Sequence, residues 1–166
     1  MDVGLLIARM VLGLLMAAHG SQKLFGWFGG YGLAGTAGFL EQLGFRPGRF
    51  FAATAAGTEI VAGLLVALGL LGPLGPALIV SVMIVAAATV HWQHGLFAQN
   101  NGIELPLLYG VVALTLALAG YGAMSLDGAL ELTWSPAVAW TALGAGVIGG
   151  FANLAIRKTA PAPAHV

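Results

Sequence analysis

Residues 50 to 92, FFAATAAGTEIVAGLLVALGLLGPLGPALIVSVMIVAAATVHW, decide the fold. They hold two apolar runs, Phe50 to Gly72 and Leu74 to Trp92. Each is close to the roughly 20 residues that a helix needs to cross the hydrocarbon core of a bilayer. The break between them is Gly72-Pro73-Leu74-Gly75-Pro76, and no Asp, Glu, Lys or Arg occurs between Glu59 and Glu104. The stretch reads as a tight hairpin of two spanning helices, because proline suits turns and the first turn of a helix.

Working outward, three further apolar runs appear: Val3 to Gly20, Leu105 to Tyr121 and Pro136 to Ile156. The expected architecture is an all-α integral membrane helical bundle with five spanning segments. Composition agrees: 59% of the 166 residues are hydrophobic and 7% charged, with a mean hydropathy of +0.94. A soluble domain carries about 25% charged residues. Segment one starts with Asp2 and is interrupted by Arg9, so it reads as a permanent helix and not as a cleaved leader. The first loop, 21 to 49, repeats Leu33, Ala37, Leu40 and Phe39, Leu43 at helical spacing ahead of Gly44 and Pro47, which predicts a short interfacial helix. Trp27, Phe28, Tyr31, Phe50 and Phe51 flank it like an interfacial aromatic belt. The tail from Arg157 to Val166, with alternating Pro and Ala at its end, is expected to be disordered.

Charge sets the orientation and excludes one class of partner. Six basic and six acidic residues cancel, so no basic field exists to hold a nucleic acid. Lys23, Arg46, Arg49, Arg157 and Lys158 fall on one side of a five-helix chain, and only Arg9 lies near the other. Lys and Arg collect on the cytoplasmic side, so the N-terminus is expected outside and the C-terminus inside a bacterial cell membrane. Cysteine is absent, which removes thiol chemistry, disulfides and thiolate metal sites from this chain. Redox chemistry would then need a cofactor, a partner or a substrate.

Glu59 is the most informative residue. It lies about nine residues into its segment, or roughly 13 Å deep at 1.5 Å per residue, where an ionised carboxylate costs about 2.5 to 3.5 kcal/mol. Ala55, Ala56, Ala62 and Gly63 surround it at helical spacing, so it faces the bundle interior. Arg9 is the expected partner, about 8 Å from it in depth by the same rise; the plainer alternatives are a structural ion pair and an Arg9 that snorkels to water. Glu59, Arg9 and His91 are the candidate catalytic residues. His19, Lys23 and Glu104, at helix ends on the same side, are the candidate ligand-binding residues of a polar mouth above Glu59. His91 and His94 form an i, i+3 pair without a third ligand fixed by spacing, so helix-end histidines are the reading preferred to a metal site. The literal G-x-G-x-x-G at Gly30 to Gly35 follows a spanning helix and not a strand, and is discarded as a dinucleotide motif. Ala142, Gly146 and Gly150 form a small-residue face suited to close helix packing or to a homo-oligomer.

These residues in sum resemble the DoxX family of small bacterial membrane proteins. The likeness is carried by Arg9; His19-Gly20-Ser21-Gln22-Lys23-Leu24-Phe25-Gly26; Gly35-Thr36-Ala37-Gly38-Phe39-Leu40-Glu41; Glu59 with Ala62-Gly63-Leu64-Leu65; His91; and Gly102-Ile103-Glu104. It covers residues 1 to 128, to Ser125-Leu126-Asp127, and leaves 129 to 156 as an additional helix and 157 to 166 as a tail. The resemblance implies a four-helix membrane core and an oxidoreductase role tied to thiosulfate/quinone systems or thiol and quinone stress, with no assigned catalytic residue. The expected function is a small membrane subunit of a quinone-linked oxidoreductase, with quinone as cofactor and soluble redox enzymes as cytoplasmic partners. A small-solute or proton transporter built on Glu59 and a non-catalytic scaffold are the alternatives.

Overall fold

A computed structural model describes residues 2–158, and all regular structure among them is helical. The long elements are α1 (Asp2–Phe25), α2 (Gly32–Gln42), α3 (Gly48–Leu68), α4 (Leu74–Ala86), α5 (Glu104–Ala119) and α7 (Pro136–Ala155), with the single turn α6 (Leu126–Ala129) before the last. Beyond Ala86, α4 continues through a π-helical turn, Ala87–His91, and a 3-10 turn, Trp92–His94.

Local chemistry accounts for the boundaries. Asp2 in the first turn of α1 and Lys23 in its last complement the helix dipole. α3 stops at Gly69, whose left-handed backbone (φ 65°) closes the helix as a C-cap glycine does. α7 starts at Ser135, whose hydroxyl accepts the Val138 N–H at 3.4 Å, with Pro136 in the first turn.

α1, α3, α7 and the continuous stretch Leu74–His94 are long and apolar enough to cross a membrane; α5, with 16 residues, is shorter. Its length of about 24 Å at 1.5 Å per residue falls below the roughly 30 Å of a hydrocarbon core. Gly120 ends α5 before the Tyr121 limit expected of segment four. The outer faces are apolar: Ile7, Val11 and Leu14 on α1, Leu107, Val111 and Leu118 on α5, and Ile148 and Phe151 on α7 are all exposed. A soluble protein does not present such continuous apolar faces to water, and the chain is a multi-pass membrane protein.

α1 and α3 make the closest contact. A Cβ on Gly13 would lie 2.5 Å from the Gly63 carbonyl, and one on Gly20 would lie 2.6 Å from the Ala56 carbonyl. The missing side chains let the backbones meet, as small residues do between membrane helices. Leu12 and Met16 of α1, Ala62 and Val66 of α3, Ile79 and Met83 of α4, and Ala113 and Leu116 of α5 fill the core. α7 packs on α4 through the small-residue face expected from the sequence, with Gly146 against Ala77 and Gly150 against Ser81 and Ile84. Gly146 and Gly150 are therefore engaged within the chain.

The predicted helix of the first loop is α2, and Phe39 on it, like Trp27, Phe28 and Tyr31 before it, is exposed. Residues 157 and 158 depart from the expected disordered tail: the Lys158 N–H donates to Gly44 O at 2.9 Å, and Arg157 Nε donates to Leu43 O at 2.9 Å. Residues 159 to 166 lie outside the described residues.

Candidate functional site

Glu59 is buried, and its partner is Lys23 and not Arg9. Lys23 Nζ donates to both carboxylate oxygens at 2.5 Å, with the Glu59 side chain 4% and the Lys23 side chain 33% exposed. Helix register explains the choice. Gly13 faces Gly63 and Ala67, while Gly20 faces Ala56 and Ile60, so on these antiparallel helices Lys23 stands level with about residue 55. That is about 6 Å along the axis from Glu59, within reach of a lysine stem. By the same register Arg9 is level with Gly69, about 15 Å from Glu59. Its guanidinium donates instead to the carbonyls of Ala67 and Met124.

The ion pair lies in the wall of a cavity of about 180 Å³ between α2, α3, α4 and the end of α7. Phe39, Phe45 and Phe51 supply its aromatic lining, and Thr58 of α3, Ser81 of α4 and Asn153 of α7 bring polar atoms to it. Phe39 and Thr54 are exposed and stand at its opening. α4 joins the wall where its backbone loosens into the π-helical turn, through Val85, Ala86, Thr89 and Val90. Such turns inside α-helices recur at functional sites. Lysine offers three donors, and hydroxyls both donate and accept. The site therefore offers hydrogen-bond donors and acceptors within a largely apolar cavity.

The catalytic candidate His91 and the other two expected mouth residues, His19 and Glu104, do not line this cavity. His91 Nδ1 donates to Asn101 O at 2.7 Å, and Glu104 Oε2 accepts the Ala98 N–H at 2.7 Å. Both organise the loop that joins α4 to α5. His19 Nδ1 lies 3.1 Å from Gln22 Oε1, and its ring packs at 6.0 Å from that of Tyr109. A common depth brought these side chains to one end of the bundle but not to one azimuth. Among the described residues, no three His, Asp or Glu side chains converge as a metal site.

A second polar cluster, absent from the sequence-derived candidates, closes the opposite end. Asp127 is buried, and its carboxylate accepts the N–H groups of Leu71 at 2.9 Å and Gly72 at 2.7 Å and the indole N–H of Trp134 at 2.8 Å. It pins the α3–α4 turn to the segment between α6 and α7. Tyr121 is buried beside it in the turn after α5, and burial, aided by the Asp127 charge, pushes its phenol above the ordinary value. The visible sequence signal was an acidic residue between two apolar segments, five residues after Gly122.

The comparisons match this frame. The family model described as DoxX matches residues 4–92, more than half of the chain, from the first turn of α1 through the π-helical turn, including Arg9, Lys23 and Glu59. No curated protein and no solved structure matches the chain. The buried Glu59 and the α1–α3 contact that sets its partner thus lie wholly inside the matched region, and the chain belongs to the DoxX family.

Proposed function

We propose that the chain is a small membrane subunit of a quinone-linked oxidoreductase and that the cavity at Lys23 and Glu59 holds the ring of a quinone or quinol. The observation that carries this reading is a buried carboxylate paired with a partly exposed ammonium in an otherwise largely apolar, aromatic-sided cavity between candidate membrane spans. A cavity with a few convergent polar groups is the usual form of a small-molecule site, and an intramembrane carboxylate is a functional candidate by default. When bound, a quinone supplies reversible two-electron, two-proton chemistry.

The chain's own residues bind, orient and move protons. Lys23 Nζ donates a hydrogen bond to a ring oxygen. Glu59 gives up or receives a proton at its carboxylate oxygens, to which Lys23 Nζ is hydrogen-bonded. Thr58 and Ser81 hydroxyls orient the second ring oxygen, and Phe39, Phe45 and Phe51 pack on the ring and exclude water. With no cysteine in the chain, soluble redox enzymes on the Lys158 side of the membrane would exchange electrons with a bound quinone. The clustering of Lys and Arg there supports a bacterial inner-membrane placement, with that end cytoplasmic and the N-terminus outside.

Solvent extraction of the detergent-purified chain is the test. Near-stoichiometric quinone that falls in Lys23→Gln and Glu59→Gln, both still folded, is expected. No quinone in the wild type after expression in quinone-containing membranes, combined with proton or solute uptake by proteoliposomes, would replace this reading with a transporter.

A further inference from the structure

Four of the chain's six Lys and Arg residues lie on two segments that meet at one corner of the bundle. Arg46 and Arg49 come from the turn into α3, and Arg157 and Lys158 from the end of α7. They meet because the end of α7 is tied down: the Lys158 N–H donates to Gly44 O, Arg157 Nε donates to Leu43 O, and the Arg157 guanidinium lies 5.5 Å over the Phe45 ring. Arg46, Arg49 and Lys158 are exposed, and Arg157 is half-buried. The one acidic residue of this loop is Glu41, whose carboxylate accepts the Gly48 N–H at 2.9 Å, so the corner keeps a net positive charge. Glu59 is matched by Lys23.

The surface beneath these charges is apolar. Phe50 and Ile156, next in sequence to Arg49 and Arg157, are 62% and 57% exposed. α3 and α7 are both candidate spans, so cations stand at the bilayer edge with apolar side chains just inside it. That arrangement matches a phospholipid, with phosphate at the head and an acyl chain alongside. A soluble acidic protein would meet the charges but not the apolar belt below them. Basic residues at the cytoplasmic ends of membrane helices attract anionic lipid, and arginine pairs with phosphate through its planar fork.

We propose that Arg46, Arg49, Arg157 and Lys158 form a site for the phosphate head group of an anionic phospholipid. The site is separate from the Lys23–Glu59 cavity and stands or falls independently of it. The test uses the full chain in nanodiscs of phosphatidylcholine, with and without phosphatidylglycerol, and reads both the melting temperature and the phosphatidylglycerol retained in native mass spectrometry. The wild type should melt higher in the anionic discs and retain phosphatidylglycerol selectively. Arg46→Gln with Arg49→Gln should cut that selectivity by roughly tenfold or more, with no loss of melting temperature in phosphatidylcholine alone because both side chains are exposed. If that pair fails to fold, Lys158→Gln provides the same comparison with a smaller loss. Equal melting and retention in both lipid compositions would overturn the proposal, as would selectivity unchanged in the folded variants. A rise reproduced by inorganic phosphate in phosphatidylcholine discs would also overturn it, making the ligand a soluble oxyanion.

Discussion

Lys23 and Glu59 stand 36 residues apart in the chain, yet one ammonium bridges both oxygens of one buried carboxylate. Two glycines make this meeting. Gly13 and Gly20 let α1 lie against the backbone of α3, and the resulting register brings Lys23 to within about one turn of Glu59. α1 also runs on to Phe25, so Lys23 is held on a helix and not on a mobile loop.

A double-mutant cycle on this pair should show strong coupling. Lys23→Ala leaves a carboxylate uncompensated in a buried site, which costs about 3 to 5 kcal/mol when both partners are fully buried. Lys23 is partly exposed, so solvent lowers the expected loss to about 2 kcal/mol. Removing both side chains should cost less than the sum by about 1 kcal/mol or more. Additive losses in thermal unfolding in detergent would mean that the two charges do not stabilise one another.

Arg9 should behave as an independent site. Its buried guanidinium joins α1 to the end of α3 at Ala67 and to the segment before α6 at Met124. Arg9→Ala should destabilise by about 2 to 3 kcal/mol, as expected when charged hydrogen bonds to buried carbonyls are lost. Arg9→Lys should recover little, since an ammonium lacks the planar fork that spans two acceptors. Arg9→Ala and Glu59→Ala should be additive within about 0.5 kcal/mol, because the register places them too far apart to couple; clear non-additivity in melting experiments would argue for a direct contact.

The helical bundle was legible because its determinants are local. The charge-free stretch after Glu59, the Gly-Pro turn near residue 73 and the periodicity of α2 each act over a few residues. Glu59 was legible too, since one carboxylate in an apolar run stands out. Its partner was not: Arg9 and Lys23 differ by helix register, which depends on how closely two particular glycines let α1 approach α3. Thr58, Ser81 and Asn153 look like ordinary polar residues of membrane helices until three helices bring them to one cavity. Asp127 escaped because its role is to accept backbone N–H groups from a turn more than 50 residues away.

The glycine contacts set a steric test of that register. A Cβ on Gly63 would lie 2.5 Å from the Gly13 carbonyl, whereas nothing stands within 4 Å of one on Gly144. Gly63→Ala should cost about 1 to 3 kcal/mol through overpacking and should lower quinone retention by shifting Lys23 relative to Glu59. Gly144→Ala should be neutral or slightly stabilising, as expected for an open helical glycine. Equal melting temperatures for the two variants would contradict the close α1–α3 contact.

Asp127 should prove structural. Its removal orphans the Leu71 and Gly72 N–H groups and the Trp134 indole N–H together, each worth about 1 to 3 kcal/mol when left buried and unpaired. Asp127→Ala should therefore lose several kcal/mol, while Trp134→Phe, which removes one of the three bonds, should lose about 1 kcal/mol. Hydrogen exchange should locate the change at the α3–α4 turn. A loss in Trp134→Phe as large as that in Asp127→Ala would shift the weight from the carboxylate to the packing of the indole.

The two ends of the α4–α5 loop decide where a ligand sits. His91 holds the Asn101 carbonyl and Glu104 holds the Ala98 N–H, and neither lines the cavity that contains Glu59. His91→Ala and Glu104→Gln should leave the quinone-to-protein ratio of the purified chain unchanged, with only a small loss of stability, because water can replace hydrogen bonds made in an exposed loop. Thr58→Val and Ser81→Ala, which remove hydroxyls from the cavity wall, should lower the ratio without unfolding the bundle, and Lys23→Gln should lower it further. Loss of quinone in the loop variants, with full retention in the cavity variants, would move the ligand to the α4–α5 loop and leave Lys23 and Glu59 as a structural pair.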